Sequence, residues 1–292
     1  MKKKLIQTQC PLCISTILVC TLTLLASCNL QSYDSPEGYQ FNKPQESELG
    51  KVLNEISGIT YNTDDSTLLA ISDSKKKIFQ INYRKQKLKD FTGDVVGPDQ
   101  DLEDLVKMDT AVYLLGSAGV IYAVPLLKDT GGVHSYTFPS EGKNDFETLY
   151  YDPSVNGLVM LCKSCASDKG KGHRSAYRFD LETRQFDTAA LYTIASEDIK
   201  KLVKDNDAKF EPSAAAINPI NKRLYILSSA GTLLVITDTR GKAIAGYNLN
   251  PDDYPQAEGI AFAPNGDMFI SNEGKNGKPT LKVFRYQGEK KK

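Results

Sequence analysis

A sequence pattern repeats five times, and three of its five matching positions are acidic. The matching positions are separated by 46, 44, 66 and 45 residues, and they are Ser57, Glu103, Glu147, Ser213 and Glu258. Carboxylates held close together raise one another's pKa or recruit a cation. Oxygen ligands without histidine or cysteine favour a hard cation, of which Ca²⁺ is the most suitable. The pattern therefore predicts a calcium site if the fold brings these repeats together.

Each matching position lies at the start of a unit with three clear short strands separated by polar turns, and a fourth strand is plausible in most units. In the last unit, residues 256–286, the strands are AEGIAF, MFIS and LKVFRY, and an Asn265-Gly266 turn joins the first two. Asn-Gly supplies the positive φ angles that a tight hairpin needs. A period near 45 residues with about four strands per unit is typical of β-propeller blades.

We therefore predict an all-β fold, a five-bladed β-propeller. Fourth strands are expected at residues 88–95, 134–139, 186–194 and 243–249. The fifth unit has no fourth strand of its own, so residues 38–43 are expected to complete this C-terminal blade as an N-terminal strand that closes the ring. A six-bladed propeller is the alternative, because the 66-residue spacing leaves extra chain. We assign that extra chain to an insertion with a short N-capped helix at residues 196–202.

Strand geometry predicts which residues face the central channel. In an antiparallel blade, the start of the first strand and the end of the second strand lie on the same face, beside the axis. The strongest metal-ligand candidates are the matching acids Glu103, Glu147 and Glu258, followed by Glu55 and Glu211. The other polar residues expected at this channel face are Asp73, Asp101, Asp145, Lys163, Ser228, Asn272 and Glu273. Acids at strand starts also cap turns and face solvent, and this is the alternative for each of them.

The N-terminal residues predict the compartment. Residues 1–27 combine a basic start, an apolar stretch around 14–25 and small residues directly before Cys28, which is the pattern of a lipoprotein signal peptide. Cleavage would leave Cys28 as a lipidated residue that anchors the chain to a bacterial membrane. We expect a cell-envelope location at the outer membrane, with the periplasmic side and the cell surface both open. Residues 28–37 are predicted to be a tether, 38–287 the propeller domain and 288–292 a basic tail.

Charge and composition argue against nucleic-acid binding. The chain has 36 Lys and Arg residues against 36 Asp and Glu residues, and loss of the leader with its lysines leaves a formal charge of about −3. This balance provides no basic surface for nucleic acid. The expected partners are the membrane, through Cys28, and an unknown small molecule or protein at the channel face. The chain itself is expected to be a monomer.

Cys162 and Cys165 form a CxxC pair at the end of a second strand. Residues three apart point to opposite faces of a straight strand, so a disulfide between them requires a turn after Cys162. Two interpretations stay open, a local disulfide or one core thiol and one loop thiol. Redox catalysis is disfavoured, because no βαβ pattern surrounds the pair.

The sequence contains no recognisable hydrolytic triad. The two histidines, His134 and His173, have no evident partners, and no G-x-S-x-G motif occurs. His173 lies in a basic loop at residues 168–175, which either holds an anionic ligand or is a solvated surface loop. Lys163 is expected beside Glu147, as a salt-bridge partner or as a cation presented to a substrate.

Several short motifs resemble the SdiA-regulated (YjiK-like) family of bacterial propeller lipoproteins. They are EISGITYN with LLAISD, DLEDL, NDFETL, LCKSC, and QAEGIAF with FISNEG. The resemblance covers about residues 39–287 and implies a five-bladed propeller, remotely related to NHL repeats, with a calcium site in its channel region. It implies no biochemical role. Two departures reduce the expected ligand count, since Ser213 and Gln256 stand where other repeats carry acids.

Two functions are compatible with these observations. The first is a membrane-anchored, calcium-binding module that holds a ligand or partner at its channel face. The alternative is a calcium-dependent hydrolase, resembling a lactonase or phosphoesterase, in which the metal polarises a carbonyl or phosphoryl oxygen. Glu273 and Asp73 are the candidate bases for that reaction, and the sequence selects neither.

Overall fold

The structure is a computed structural model of the chain. It describes residues 33–97, 101–127, 132–275 and 277–288. The predicted signal peptide, the lipidated Cys28, the first part of the tether and residues 289–292 of the tail lie outside the described residues. Their assignments stay predictions from the sequence.

Five antiparallel sheets follow one another along the chain. Before them lies a short strand, β1 (Gln45–Glu48). The first sheet contains β2 (Ile56–Asn62), β3 (Thr67–Ser72), β4 (Lys75–Asn82) and β5 (Lys87–Asp94). The second sheet contains β6 (Leu102–Met108), β7 (Ala111–Gly116), β8 (Val120–Pro125) and β9 (His134–Thr137).

The remaining three sheets include one helical insertion. The third sheet contains β10 (Phe146–Asp152), β11 (Gly157–Cys162), β12 (His173–Asp180), β13 (Gln185–Phe186) and β14 (Tyr192–Ala195). A helix, α1 (Ser196–Val203), follows it. The fourth sheet contains β15 (Ala214–Ile217), β16 (Leu224–Ser228), β17 (Leu233–Thr237) and β18 (Ala243–Asn248). The fifth sheet contains β19 (Ala257–Phe262), β20 (Met268–Asn272) and β21 (Thr280–Phe284), together with β1.

The first strands of the five sheets form a closed ring. Strand β2 contacts β6 and β19, β10 contacts β6 and β15, and β15 contacts β19. The sheets are therefore the blades of a five-bladed β-propeller, as predicted, and the six-bladed alternative is wrong. The extra chain before the fourth blade is the insertion α1, although its N-cap is Ala195 and no side chain caps it. No helix within the described ranges is long and apolar enough to cross a membrane.

The core lies between the blades. Every residue of β3, β11, β16 and β20 is buried. These strands are apolar on consecutive residues because each of their faces packs against a neighbouring blade. The expected fourth strand at 186–194 is divided instead into β13 and β14, which both pair with β12. The residues between them include an exposed Thr188-Ala189-Ala190 segment that leaves the sheet.

The prediction that an N-terminal strand closes the ring is confirmed, but the predicted residues, 38–43, are wrong. An N-terminal strand does complete the fifth blade, but it is β1, paired from Gln45 opposite Val283 to Glu48 opposite Thr280. Residues 38–43 instead form a turn before that strand. The turn has a different task, because its Tyr39 and Phe41 side chains are buried beside the fourth and fifth blades.

Two aromatic side chains hold this turn in place. The Phe41 ring lies 4.7 Å from the Phe284 ring, measured between centroids. The Tyr39 hydroxyl donates to the Gly266 carbonyl at 2.7 Å and accepts a hydrogen bond from Asn218 at 2.7 Å. The turn therefore delivers β1 to the open edge of β21 and fixes the closing pair.

Phe41→Ala tests the contribution of this turn to closure. The substitution should lower the free energy of unfolding by about 3–5 kcal/mol, the usual cost of removing a buried aromatic ring. Urea unfolding measures this loss. Ile220→Ala, at a side chain that is 43% exposed, is the control and should change stability by less than about 1 kcal/mol. Equal losses in the two variants would contradict a closing role for Phe41.

Candidate functional site

A β-bulge interrupts the first strand of four blades at corresponding places. The register shifts between Ile56 and Gly58, Leu102 and Asp104, Phe146 and Thr148, and Ala257 and Gly259. The bulged residues are thus Ser57, Glu103, Glu147 and Glu258, four of the five positions matched in the sequence. A bulge re-aims the side chain of the extra residue away from the regular alternation of the strand. It brings these side chains to one end of the channel.

The fifth matching position, Ser213, also lies at an irregularity in the strand pairing of its blade. The Ser213 amide donates to the Leu227 carbonyl at 2.9 Å, although Leu227 is also the register partner of Ala214. Its hydroxyl donates to the Ala257 carbonyl of the next blade at 2.8 Å. Ser213 therefore links two blades and does not add a carboxylate to the channel.

Side chains from all five blades surround one cavity of ≈ 390 Å³ at this end of the channel. We call it the acidic cavity. The carboxylates that line it are Asp73, Glu103, Glu147, Glu211, Glu258 and Glu273. The other lining residues are Ser57, Lys163, Ser229, Ala230, Pro255, Gln256 and Lys275.

Three of the predicted site residues lie outside this lining but close to it. The pKa of Asp73 is raised first by burial, then by a hydrogen bond with Asp101 and by the charge of Asp101, and least by the charge of Glu55. The charge of Asp145 adds to the rise that burial causes in the pKa of Glu147. These three carboxylates therefore add negative charge next to the acidic cavity.

Two residues expected at the channel face have structural contacts instead. The Ser228 hydroxyl accepts a hydrogen bond from the Glu211 amide at 2.9 Å and donates to the Lys209 carbonyl at 3.1 Å. The Asn272 side chain donates to the Thr280 hydroxyl at 3.2 Å. Both fix loops near the cavity and do not line it.

Sequence reasoning missed several polar residues of the acidic cavity, above all Lys275. The sequence position of Lys275 could have predicted this. Lys275 lies in the loop after β20, the second strand of its blade, and Lys163 lies in the equivalent loop after β11. Ser229 and Gln256 were also missed as site residues, and their side chains form hydrogen bonds with Glu258. Nothing in the spacing of the acids marks either of these two residues.

The glutamates of the acidic cavity hold protons more tightly than ordinary glutamates. Burial, followed by the charges of Glu147 and Asp101, raises the pKa of Glu103 to about 9. Burial and the charges of Glu147 and Glu273 raise the pKa of Glu258 to about 8. Without a bound cation, the cavity thus carries protons near neutral pH in place of its full negative charge.

The pKa of Glu147 is raised less than those of Glu103 and Glu258, because Lys163 partly neutralises its charge. Burial raises its pKa to about 7, and the hydrogen bond from the Lys163 ammonium opposes that rise. The ion pair occupies Oε1 of Glu147. The other oxygen, Oε2, is buried and has no hydrogen-bond partner among the described residues. This leaves one carboxylate oxygen that a cation or a hydrogen-bond donor can satisfy.

The loop that carries Lys163 is tied to the blade in two ways. The amides of Lys163 and Ser164 donate to the Asp145 carbonyl at 2.9 and 3.1 Å. Cys162 and Cys165 are joined by a disulfide, with 6.0 Å between their Cα atoms. The chain therefore has the turn after Cys162 that a disulfide requires, and this turn directs Lys163 toward Glu147.

Next to the bulged Glu103, Asp104 joins two blades. Its carboxylate accepts hydrogen bonds from the Leu105 and Leu149 amides, each at 2.8 Å. Burial raises the pKa of this carboxyl well above its usual range. Asp104 thereby couples the second blade to the third, next to a residue that lines the acidic cavity.

The chemistry of the lining suits a hard cation, because its donors are carboxylate and hydroxyl oxygens. In the arrangement of the described residues, however, no three side chains of His, Cys, Asp or Glu converge closely enough to hold a metal ion. The Lys163 ammonium binds Glu147 in this arrangement.

The histidines do not form a catalytic triad within the described chain. His173 Nε2 lies 3.4 Å from Asp168 Oδ1, and the Ser175 hydroxyl donates to the same oxygen at 2.5 Å. The aspartate is thus between the serine and the histidine, whereas a triad needs the histidine between the other two. His134 begins β9 and is exposed.

Comparison with known proteins adds information on the fold. No known protein-family profile matches the chain, and no curated protein matches it. Solved structures do match. The chain is similar to Myxococcus xanthus glutaminyl cyclase, with a TM-score of 0.55, 12% identity and coverage of 86% of this chain and 99% of that chain.

Two other solved structures show the same likeness. Regucalcin from Agrobacterium tumefaciens, described as a calcium-binding protein, has a TM-score of 0.51, 11% identity and coverage of 83% of this chain and 94% of that chain. A luciferin-regenerating enzyme has a TM-score of 0.50, 11% identity and coverage of 85% and 97%. Such low identities show the fold alone. The resemblance to the SdiA-regulated family stays a prediction.

The raised pKa values predict that the metal-free protein loses stability as the pH rises from about 5 to about 9. Unfolded glutamates have a pKa of about 4.3, whereas Glu103 and Glu258 in the folded protein have values of about 9 and about 8. The folded state therefore binds more protons over this range, and its stability falls as they are lost. Urea unfolding across a pH series, with a chelator present, measures the fall.

A matched pair of variants assigns this effect to the acidic cavity. Glu103→Gln should make the stability curve flatter, because one of the proton-binding groups is removed. Glu182→Gln, at an exposed turn residue, should leave the curve unchanged. A stability that is constant or rises with pH in the wild-type protein would refute the assignment.

Proposed function

We propose that this propeller is a lipid-anchored binding module of the bacterial cell envelope that holds Ca²⁺ in its acidic cavity. The observation that carries the proposal is the gathering of six carboxylates around one cavity that contains only two lysines. Such a concentration of like charge favours a bound divalent cation, which removes repulsion that protons relieve only in part. The anchor at Cys28 rests on the sequence pattern alone.

The residues that would hold the cation are Glu103, Glu147 and Glu258. They occupy equivalent bulges, and Glu147 has a buried oxygen without a partner in the described part of the chain. Glu211 and Asp73 line the same cavity and can complete the oxygen donors. Because the side chains do not converge in the present arrangement, binding requires them to rotate inward as Lys163 withdraws.

Glu55 is a weaker candidate than the sequence indicated. It lies outside the cavity lining, although its charge raises the pKa of Glu273. Its proposed role is therefore to strengthen the negative potential and not to contact the cation. The shared fold of regucalcin supports this proposal only as an example of a calcium-binding propeller.

Bound Ca²⁺ would tie the five blades together at their inner strands and present a fixed positive charge at the channel face. An anionic group of a ligand or partner could then bind there. The hydrolase alternative needs an open coordination position and a base beside it. Glu273, with a pKa raised mainly by burial, is one such base, and this alternative stays a prediction.

Calcium titration tests the proposed site. Isothermal titration calorimetry of the metal-free protein at pH 8 should show saturable binding that weakens as the pH falls, because Ca²⁺ must displace protons from Glu103 and Glu258. At 100 times the dissociation constant, Ca²⁺ should stabilise the fold by about 2.7 kcal/mol. Glu258→Gln should weaken binding by about tenfold or more, whereas Glu182→Gln should not change it. The absence of binding at millimolar Ca²⁺ would overturn the proposal.

Lys163→Met tests competition between the lysine and the cation. Removing the ammonium frees Glu147 and deletes a positive charge from the acidic cavity, so Ca²⁺ affinity at pH 8 should rise by about tenfold, equivalent to about 1.4 kcal/mol. Calorimetry measures the change. Lys85→Met, at an exposed turn of the first blade, is the control for a lost surface charge. If Lys163→Met binds Ca²⁺ no more tightly than wild type, Lys163 does not compete for the site.

A further inference from the structure

A second cavity, of ≈ 530 Å³, lies on the loop between β11 and β12. We call it the loop cavity. In contrast to the acidic cavity, it is lined by three cationic side chains, Lys143, Lys169 and Arg174. The segment before β10 supplies Lys143, and the loop and the start of β12 supply the other two. This cavity is not used by the proposed calcium site.

The two carboxylates that also line the loop cavity, Asp145 and Asp168, offset two of these three positive charges and leave a formal charge of +1. Asp168 is 4% exposed, and its oxygens accept hydrogen bonds from the Ser175 amide at 2.8 Å and the Ser175 hydroxyl at 2.5 Å. Its hydrogen-bonding capacity is thus taken up by the protein. Asp145 lines the loop cavity and also interacts with Glu147 and Lys163, so its charge is shared between the two cavities. An excess of positive charge is left for a ligand.

Arg174 lines this cavity and has a hydrogen-bond donor without a partner in the described part of the chain. Its Nε is buried and has no partner among the described residues. Its Nη1 donates to the neighbouring His173 carbonyl at 3.2 Å. A guanidinium has five N–H donors in a planar fork that matches the oxygens of a carboxylate or phosphate. A buried N–H without an acceptor is costly, and an oxyanion in the cavity would remove that cost once the Arg174 side chain rotates to present its Nε.

The loop also offers backbone donors. Gly170 and Gly172 both have positive φ angles, and a Cβ built on either would meet nothing within 4 Å. Neither amide donates a hydrogen bond within the described part of the chain. Glycines without a Cβ let an anion approach the backbone N–H groups closely, as in other anion-binding loops.

The loop is held in shape before any ligand binds. The disulfide between Cys162 and Cys165 closes one end. At the other end, the Ser196 amide donates to the Gly172 carbonyl at 2.9 Å. Between them, the Lys171 amide donates to the Asp168 carbonyl at 3.0 Å. Such preorganisation lowers the entropic cost of holding a ligand.

We propose that the loop cavity binds the oxyanion group of a small molecule, a phosphate or a carboxylate, with Arg174 as its main hydrogen-bond donor. Lys143 and Lys169 supply further positive charge, and the glycine amides complete the donors. This inference goes beyond the proposed calcium site and does not depend on it. The ligand would bind beside the acidic cavity, separated from it by Asp145 and the Lys163 turn.

Calorimetry with inorganic phosphate and with acetate tests the proposal. Each anion is titrated into metal-free protein at constant ionic strength, with chloride as the blank. We expect saturable binding of at least one of them. Tighter binding of phosphate assigns a phosphate group to the ligand, and tighter binding of acetate assigns a carboxylate. No saturable binding of either anion in the millimolar range would overturn the proposal.

Three variants distinguish a built site from general charge attraction. Arg174→Gln should weaken binding by about tenfold or more, since it removes a charged hydrogen-bonding fork. Lys169→Gln, at an exposed side chain, should weaken binding as well, and it serves if Arg174→Gln does not fold. Lys85→Gln, on the first blade, should bind as wild type does. Equal losses in all three variants, or no loss in Arg174→Gln and Lys169→Gln, would overturn the proposal.

The Ca²⁺ affinity of Arg174→Gln shows whether the anion site and the calcium site are independent of each other. If the calcium proposal fails and anion binding depends on Arg174, the inference about the loop cavity stands alone. If Arg174→Gln loses anion binding and keeps wild-type Ca²⁺ affinity, both sites are present and independent.

Discussion

The pairing of β1 with β21 closes the ring of blades, and the sites described above depend on that closure. Each inner strand contacts the inner strands on both sides, so an open ring would let the first and last blades separate. The acidic cavity has lining residues from all five blades, and it would widen toward water if they did. The aromatic turn before β1 is therefore as important to the site as the carboxylates themselves, because it brings the closing strand to its partner.

Closure also creates an electrostatic problem. Carboxylates that would repel each other weakly in water are brought into a buried space, where their interaction is stronger. The fold reduces this cost through raised pKa values at Glu103 and Glu258 and through the Lys163 ion pair at Glu147. Both solutions are reversible. A proton can dissociate and a lysine can swing away, so the same groups that stabilise the metal-free cavity can yield to a cation.

Opposite charges lie side by side on this face of the propeller. The loop after β11 contributes Lys163 to the acidic cavity and Lys169 to the loop cavity. Its disulfide and its hydrogen bonds to the Asp145 carbonyl fix where one surface ends and the other begins. With the proposed Ca²⁺ bound, both places would present positive charge, which would suit a ligand that carries two anionic groups.

The sequence by itself determined the propeller architecture, the need for an N-terminal closing strand and the matching positions of Glu103, Glu147 and Glu258, because strand alternation and repeat spacing are local properties of the chain. It favoured five blades, and the structure excluded six. Only the tertiary structure decided that β1 and not residues 38–43 closes the ring, that Lys275 joins the cavity and that Glu55 lies outside it. It also decided the disulfide and the protonation of the glutamates. The disulfide depends on the turn after Cys162, and the other features depend on distances between residues of different blades, which a one-dimensional pattern does not contain.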